Sequence, residues 1–332
     1  MTETVLEPPR ACSALIKVSI CVVTYNHEAF IRRCLQSLVD QHTQWSFEII
    51  VGEDASGDGT RGIVQEFADA YPGLVKPMLH DRNLGMIGNY RAVHGAARGE
   101  FICHCDGDDY WEPGKLDLQV QFLDVHAECA AVFSNSHVIS ERGERIGAFS
   151  RGVPELFDVG YLIRDGNFLH HSSMMYRRRF QDRMFPTASE FIDFHVYVLL
   201  GRLGRIGYID QPLTSYRAQS SASVIHNDNQ RIRRLGWQAL AEVMPADAPK
   251  ASIRRADASF LADAAYQALR CGRPARYRDW LALVRQRPNS TPLLTQLVAL
   301  RILVGSTARK VLFHARVRLG IARPESRVFY PK

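Results

Sequence analysis

Several familiar signatures are missing from this chain, and each absence removes a class of protein. No window holds eighteen uninterrupted apolar residues, so no segment reads as a membrane-spanning helix. Met1 to Arg10 is polar and Pro-bearing, without the apolar stretch of a secretory signal. The first strand-like run is followed by Thr24-Tyr25-Asn26 rather than G-x-G-x-x-G, which excludes the usual dinucleotide pyrophosphate turn. A P-loop pattern is absent too, as are repeats and low-complexity runs. The seven cysteines (Cys12, Cys21, Cys34, Cys103, Cys105, Cys129, Cys271) show no paired zinc-like spacing. Cys103-His104-Cys105 suggests a metal site at first glance. In a strand, however, the two thiols point to one face and His104 to the other, so they cannot converge. An odd, scattered set of thiols fits a reducing compartment, and a soluble, cytoplasmic protein is expected.

What is present is material for a large core. Hydrophobic residues make up 46% of the 332, which excludes global disorder. The formal charge of +6 and the pI near 9.0 permit anionic partners such as phosphates or acidic lipid. They do not demand nucleic acid, and none is expected.

Strands alternate with helices along the first third. Lys17 to Asn26 is a near-continuous apolar run, as a parallel strand covered on both faces requires. Phe30, Ile31, Cys34, Leu35 and Leu38 then recur at helical spacing. Phe47 to Gly52 predicts a second strand, Thr60 to Tyr71 a helix, and Leu74 to Leu79 a third strand. A turn at Asn83-Leu84-Gly85-Met86 and a helix over Gly88–Arg98 lead to the apolar run at Phe101. The alternation argues an α/β fold with a doubly wound sheet.

The run at Phe101 ends abruptly in Asp106-Gly107-Asp108-Asp109. That places hard oxygen ligands at the carboxyl end of a sheet, where open α/β sheets bind their ligands. Clustered carboxylates repel one another unless a cation neutralises them, and Mg²⁺ or Mn²⁺ suits such oxygens. Such an ion commonly fills its remaining positions with substrate phosphate oxygens. A polar turn after a strand is the plain alternative.

Four ordered segments carry a family resemblance: Val22 to Asn26, Val51 to Thr60, Asn83-Leu84-Gly85 and Asp106 to Asp109. Together they resemble the family 2 glycosyltransferases, inverting enzymes of the GT-A fold. The resemblance implies a mixed α/β sheet flanked by helices and a nucleotide-sugar donor, with UDP- or dTDP-sugars favoured. It puts Thr24, Tyr25, Asn26, Asp54, Asn83 and Gly85 around the nucleotide, with Glu53 in support. Asp106 and Gly107 would meet the donor, and Asp106 and Asp108 would hold Mn²⁺ or Mg²⁺, while Asp109 orders the loop. Asp193, in Ala188 to Leu200, aligns with the base that deprotonates the acceptor hydroxyl; Glu190 is the second candidate. His170, His171 and Ser172 fall on the acceptor side. After Tyr216-Arg217 this chain departs from the family: Gln219 stands where a histidine commonly follows, and His226 is the nearest substitute.

The implied layout is an N-terminal tail (1–16), a GT-A domain (17–228) and a helical C-terminal extension (229–332). Within the domain, 17–111 form the nucleotide-sugar half and 112–228 the acceptor half. Residues 291–323 carry no acidic side chain and alternate apolar with basic ones. Two readings follow: a peripheral anchor at the inner face of the cell membrane, or an appendage that packs on the core. An anchor would suit a lipid-linked saccharide acceptor and cell-surface polysaccharide or lipopolysaccharide assembly. Two rival functions are a nucleotidyltransferase, for which the triphosphate loop is missing, and a non-catalytic sugar-nucleotide binding protein.

Overall fold

The computed structural model describes residues 15–218, 229–244, 246–273, 275–287, 291–318 and 328–331. The first part alternates as the sequence implies: β1 (Val18–Thr24), α1 (Glu28–Val39), β2 (Phe47–Glu53), α2 (Thr60–Ala70), β3 (Val75–Leu79), α3 (Gly85–Ala96) and β4 (Phe101–Asp106). β1 lies between β2 and β4, β3 lies outside β2, and all of these pairings are parallel. Every residue of β1 is buried. Val18, Ile20 and Val22 pack with Ile31, Leu35 and Leu38 of α1, while Cys21 and Val23 join Tyr90 and Val93 of α3 on the other face. That double cover is why the strand reads as an unbroken apolar run. The register sets Thr24 beside Glu53 and Val23 beside Asp106, so the polar strand ends share one edge.

The second part supplies β5 (Tyr110–Trp111), α4 (Lys115–Val125), β6 (Cys129–Ile139), β7 (Arg145–Arg151), β8 (Leu156–Phe157), α5 (Val159–Asp165), β9 (Met175–Arg177), α6 (Asp193–Leu203) and β10 (Arg205–Arg217). β9 runs antiparallel between β4 and β6 and fuses the two halves into one mixed sheet. β10 runs parallel to β6 and pairs back to β5 and β8. β10 is one strand of 13 residues and passes straight through Pro212. Pro212 sits at a register shift, where its missing N–H costs no ladder bond. The helix expected from Gly88 begins at Gly85, because Asn83 Oδ1 accepts the Gly85 N–H at 2.9 Å and nucleates the first turn.

Among the described residues four helices follow: α7 (Asn229–Ala241), α8 (Lys250–Arg270), α9 (Ala275–Gln286) and α10 (Pro292–Arg318). Trp237, Leu261, Trp280, Val284 and Ala299 join the same apolar cluster as residues of α3 and α6. Arg287 ties them together, with Nη1 2.6 Å from Asp257 and Nη2 donating to the Leu240 and Val243 carbonyls. The last segment is not wholly helical, since β11 (Val328–Pro331) adds a parallel strand to β7. α10 uses both of its faces: Val298, Ile302 and Leu303 pack inward, while Leu293, Leu297, Leu300 and Val304 stay exposed. Among the described residues no helix is long and apolar enough to cross a membrane.

One glycine sets the depth of the fold at the site. A Cβ on Gly52 would lie 2.1 Å from Asn89 Oδ1 and 2.3 Å from Val93 Cγ2, so only glycine lets α3 rest on β2. Gly52→Ala is expected to cost about 1–3 kcal/mol of stability, read by urea denaturation. An unchanged midpoint would contradict this close approach.

Candidate active site

Loops at the carboxyl edge of the sheet converge from β1, β2, β3 and β4. At the end of β2, Asp54 is buried, its Oδ1 accepts the Leu84 N–H at 2.7 Å, and its carbonyl accepts from Asn83 at 3.1 Å. Asn26 (φ 53°) and Ala55 (φ 55°) are the non-glycine residues with left-handed backbone among those described. Strained conformations of this kind concentrate at functional sites and persist only where neighbours enforce them. Here the Asn26 N–H donates to Ser56 Oγ at 3.0 Å, and Asn26 Oδ1 accepts the Gly57 N–H at 2.9 Å. Tyr25 beside them is 46% exposed, so it does not cap the core. Glu53 supports the loop, accepting the Ser56 N–H at 2.7 Å.

The acidic turn lies directly against β1. A Cβ on Gly107 would meet Thr24 Oγ1 at 2.7 Å and His27 Nδ1 at 2.8 Å, which makes glycine obligatory there. The three carboxylates have separate fates. Asp109 is buried and saturated: Oδ2 accepts Ser172 Oγ–H at 2.6 Å and His170 Nε2–H at 2.8 Å, and Oδ1 accepts the Arg217 N–H at 3.0 Å. Asp106 is partly open, with 40% of its side chain exposed. Burial first, then the Asp109 and Asp106 charges, push the Asp108 carboxyl well above the usual carboxylate range. Among the described residues no three His, Cys, Asp or Glu side chains converge to cage an ion unaided. Two repelling carboxylates are an incomplete oxygen donor set, the kind Mg²⁺ or Mn²⁺ completes with phosphate oxygens.

His170 and Ser172, expected to face an acceptor, lie beneath the acidic turn instead. His170 Nδ1 lies 2.8 Å from Ser136 Oγ, and Ser172 Oγ accepts the Asp106 N–H at 2.9 Å, so both are committed to the loop. His171 is buried against His104 at 4.1 Å between ring centroids, and among the described residues its Nδ1 has no hydrogen-bond partner. The two-faced strand is as expected: Cys105 meets Cys34 at 3.7 Å on one side, and His104 meets His94 at 3.0 Å on the other.

Asp193 is the first residue of α6 and is exposed, at a helix end that favours negative charge. Glu190 lies outside the helix and is taken up by Arg231, at 2.8 and 3.1 Å. His195 is buried, 2.9 Å from Glu242, and does not share Asp193's surface. The Tyr90 ring packs 5.1 Å from His104 and 6.0 Å from Phe191 between centroids, and burial, then the charges of Asp193, Cys21 and Asp106, push its phenol up. Sequence reasoning missed the anchoring by Arg217, whose Nε donates to the Asp108 carbonyl at 3.1 Å. It also missed His27, packed on Gly107. Gln219 and His226 lie outside the described residues.

Residues 19–185 match the family described as Glycosyl transferase family 2, and the chain belongs to that family. A protein of Mycobacterium tuberculosis is 34% identical over 235 residues, covering 69% of this chain and 66% of that protein's own length. TuaG of Bacillus subtilis, named for teichuronic acid biosynthesis, is 28% identical over 133 residues, 40% of this chain and 51% of that one. The fold is similar to Staphylococcus aureus TarS (residues 1–349) crystallised with UDP-GlcNAc, with a TM-score of 0.55 at 22% identity, covering 75% of this chain and 73% of that chain. The architecture is that of a GT-A glycosyltransferase.

The Asp108 environment has a thermodynamic consequence. A carboxyl raised above its ordinary 3.8 favours the protonated folded state, a contribution present at low pH and lost as pH rises through the raised value. In EDTA near pH 7, Asp108→Asn is therefore expected to have a higher Tm than the wild type, with the gap closing toward about pH 4. Added Mn²⁺ should stabilise only the wild type. A lower Tm for the variant near pH 7 would show that Asp108 is not under repulsion.

Proposed function

We propose that the chain transfers a glycosyl group from a nucleoside diphosphate sugar to a hydroxyl acceptor, with inversion at the anomeric carbon. The observation that carries this reading is that the Tyr90 ring packs between His104, which bonds Asp106 of the acidic turn, and Phe191, two residues before the exposed Asp193. Asp54, Asn83 and Tyr25 serve the nucleotide: Asp54 retains acceptor capacity toward a base N–H, and the exposed tyrosine offers a stacking face. UDP-sugars are the favoured donors, in keeping with the UDP-GlcNAc held by TarS. Asp106 and Asp108 would hold a divalent cation, which when bound stabilises charge on the leaving diphosphate. Asp193 takes the acceptor hydroxyl proton as its oxygen bonds to the anomeric carbon, and the bond to the diphosphate breaks on the opposite face.

A cleft of about 510 Å³ lies between Ala188–Glu190 and α7, just before Asp193, and is lined by Ser189, Glu190, Gln230, Arg231 and Gln238. Such a polar wall suits a saccharide acceptor, in keeping with assembly of a cell-surface polysaccharide. The exposed Leu293, Leu297, Leu300 and Val304 of α10 support a peripheral membrane role, since 291–323 carry no acidic residue.

Two measurements test this. Release of nucleoside diphosphate from a panel of UDP-, dTDP- and GDP-sugars should require Mn²⁺ or Mg²⁺. Asp193→Asn should lower turnover about 10²–10⁴-fold while leaving donor binding intact. Failure of any sugar nucleotide to bind would sink the reading. Separately, wild-type protein should sediment with phosphatidylglycerol vesicles, and Leu297→Glu with Leu300→Glu should release it. No sedimentation of the wild type would remove the membrane role alone.

A further inference from the structure

Beneath the acidic turn lies a chain of polar groups buried within the sheet's helical cover. His94 on α3 and His104 on β4 are fully buried, with Tyr176 of β9 behind them. Tyr176 Oη lies 2.9 Å from His94 Nδ1, His94 Nε2 lies 3.0 Å from His104 Nδ1, and His104 Nε2 lies 3.2 Å from Asp106 Oδ1. His104 and Asp106 are two apart on one strand, so their side chains share a face.

These contacts admit one arrangement of protons. A carboxylate only accepts, so the His104 Nε2 facing Asp106 carries hydrogen. Both imidazoles are fully enclosed, where a charged ring loses its hydration, so each is assigned one proton. His104 Nδ1 is therefore an acceptor, and His94 donates to it through Nε2–H. His94 Nδ1 must then accept, and Tyr176 donates; burial pushes its phenol up, so it stays protonated. All three donors point toward Asp106. The rings are held from the side as well: Tyr90 packs 4.1 Å from His94, 5.1 Å from His104 and 5.5 Å from His171, between centroids.

We propose that His104, fixed as its Nε2–H tautomer by His94 and Tyr176, is the positioning residue that orients the Asp106 carboxylate for the donor diphosphate and its cation. This rests on the reading that Asp106 engages the donor. Asp106 is otherwise half-exposed, and among the described residues its other oxygen has only a 3.4 Å contact with Ser172 Oγ. A bond to Oδ1 restricts its rotation and leaves Oδ2 for the ligand. Partners that orient a ligating carboxylate in this way are typically worth about 10–100-fold in metal affinity or activity.

The experiment follows Mn²⁺ binding in the presence of UDP by calorimetry, with thermal melts alongside. His104→Phe is expected to weaken Mn²⁺ binding at least about tenfold. His104→Gln, whose amide can donate to Asp106 and accept from His94, should recover most of it. Tyr176→Phe removes one oxygen remote from the turn and should also weaken binding, because His94 loses the partner that fixes its tautomer. Imidazole ¹⁵N spectra should show Nε2–H at both His94 and His104. Unchanged affinity in both His104→Phe and Tyr176→Phe would overturn the proposal, as would an Nδ1–H tautomer at His104. Asp106→Asn separates the two levels. If it leaves Mn²⁺ binding unchanged, the donor-site reading fails; if it weakens binding while the His104 variants do not, the relay alone fails.

Discussion

The hydrogen bonds that converge on Asp109 hold the site in register. Its three partners come from two separate segments: Ser172 and His170 from the stretch before β9, and Arg217 from the end of β10. A buried carboxylate is tolerated only when its lone pairs are filled, and removing one partner leaves an uncompensated charge. Arg217 answers this doubly, because its backbone N–H serves Asp109 while its guanidinium serves the Asp108, Ser140 and Glu141 carbonyls. The end of β10 is thereby tied to the turn that follows β4. β9 makes the same connection through the sheet, pairing with β4 on one side and β6 on the other.

The parallel strands were legible because burial on both faces demands apolar residues at consecutive positions, and β1, β2 and β4 obey. The acidic turn was legible as a cluster because three carboxylates fall within four positions at the end of a buried strand. β10 was less so. Proline is a stop signal in isolation, and only its place at a register shift of a parallel pair removes the penalty. The roles of His170 and Ser172 were hidden for another reason. Sequence neighbours suggest a common surface, but this segment passes under the turn, and its polar atoms are spent on Asp109 and Asp106. His104 carried a signal that was available: two residues before an acidic strand end, it had to share Asp106's face.

The site is kept at a cost in stability. Asn26 and Ala55 hold left-handed backbone, for which an L-residue forgoes about 1–2 kcal/mol. Their loops are cross-braced by Asn26–Ser56 and Asn26–Gly57 hydrogen bonds, so the strain is confined rather than relaxed. Asp108 adds electrostatic repulsion to this. The compensating burial lies elsewhere, in the two apolar clusters on either side of the sheet, and the larger of them takes in α7 to α10. The C-terminal helices thus contribute to the same core as α3 and α6, the helices that carry Tyr90 and Asp193.

Three adjacent aspartates show how environment, not residue type, assigns chemistry. Asp109 is filled by donors on both oxygens and has nothing left for a ligand. Asp108 is desolvated between two like charges, so any cation that arrives relieves a penalty already present in the folded chain. Asp106 stands between these extremes, with one oxygen bonded to His104 and a partly solvated side chain. A carboxylate that is wholly satisfied cannot bind, and one that rotates freely loses affinity to entropy. The intermediate state, one oxygen fixed and one open, is what orders a ligand atom without consuming it. Gly107 makes the sequence of three possible, since any side chain there would collide with Thr24 and force the turn away from β1.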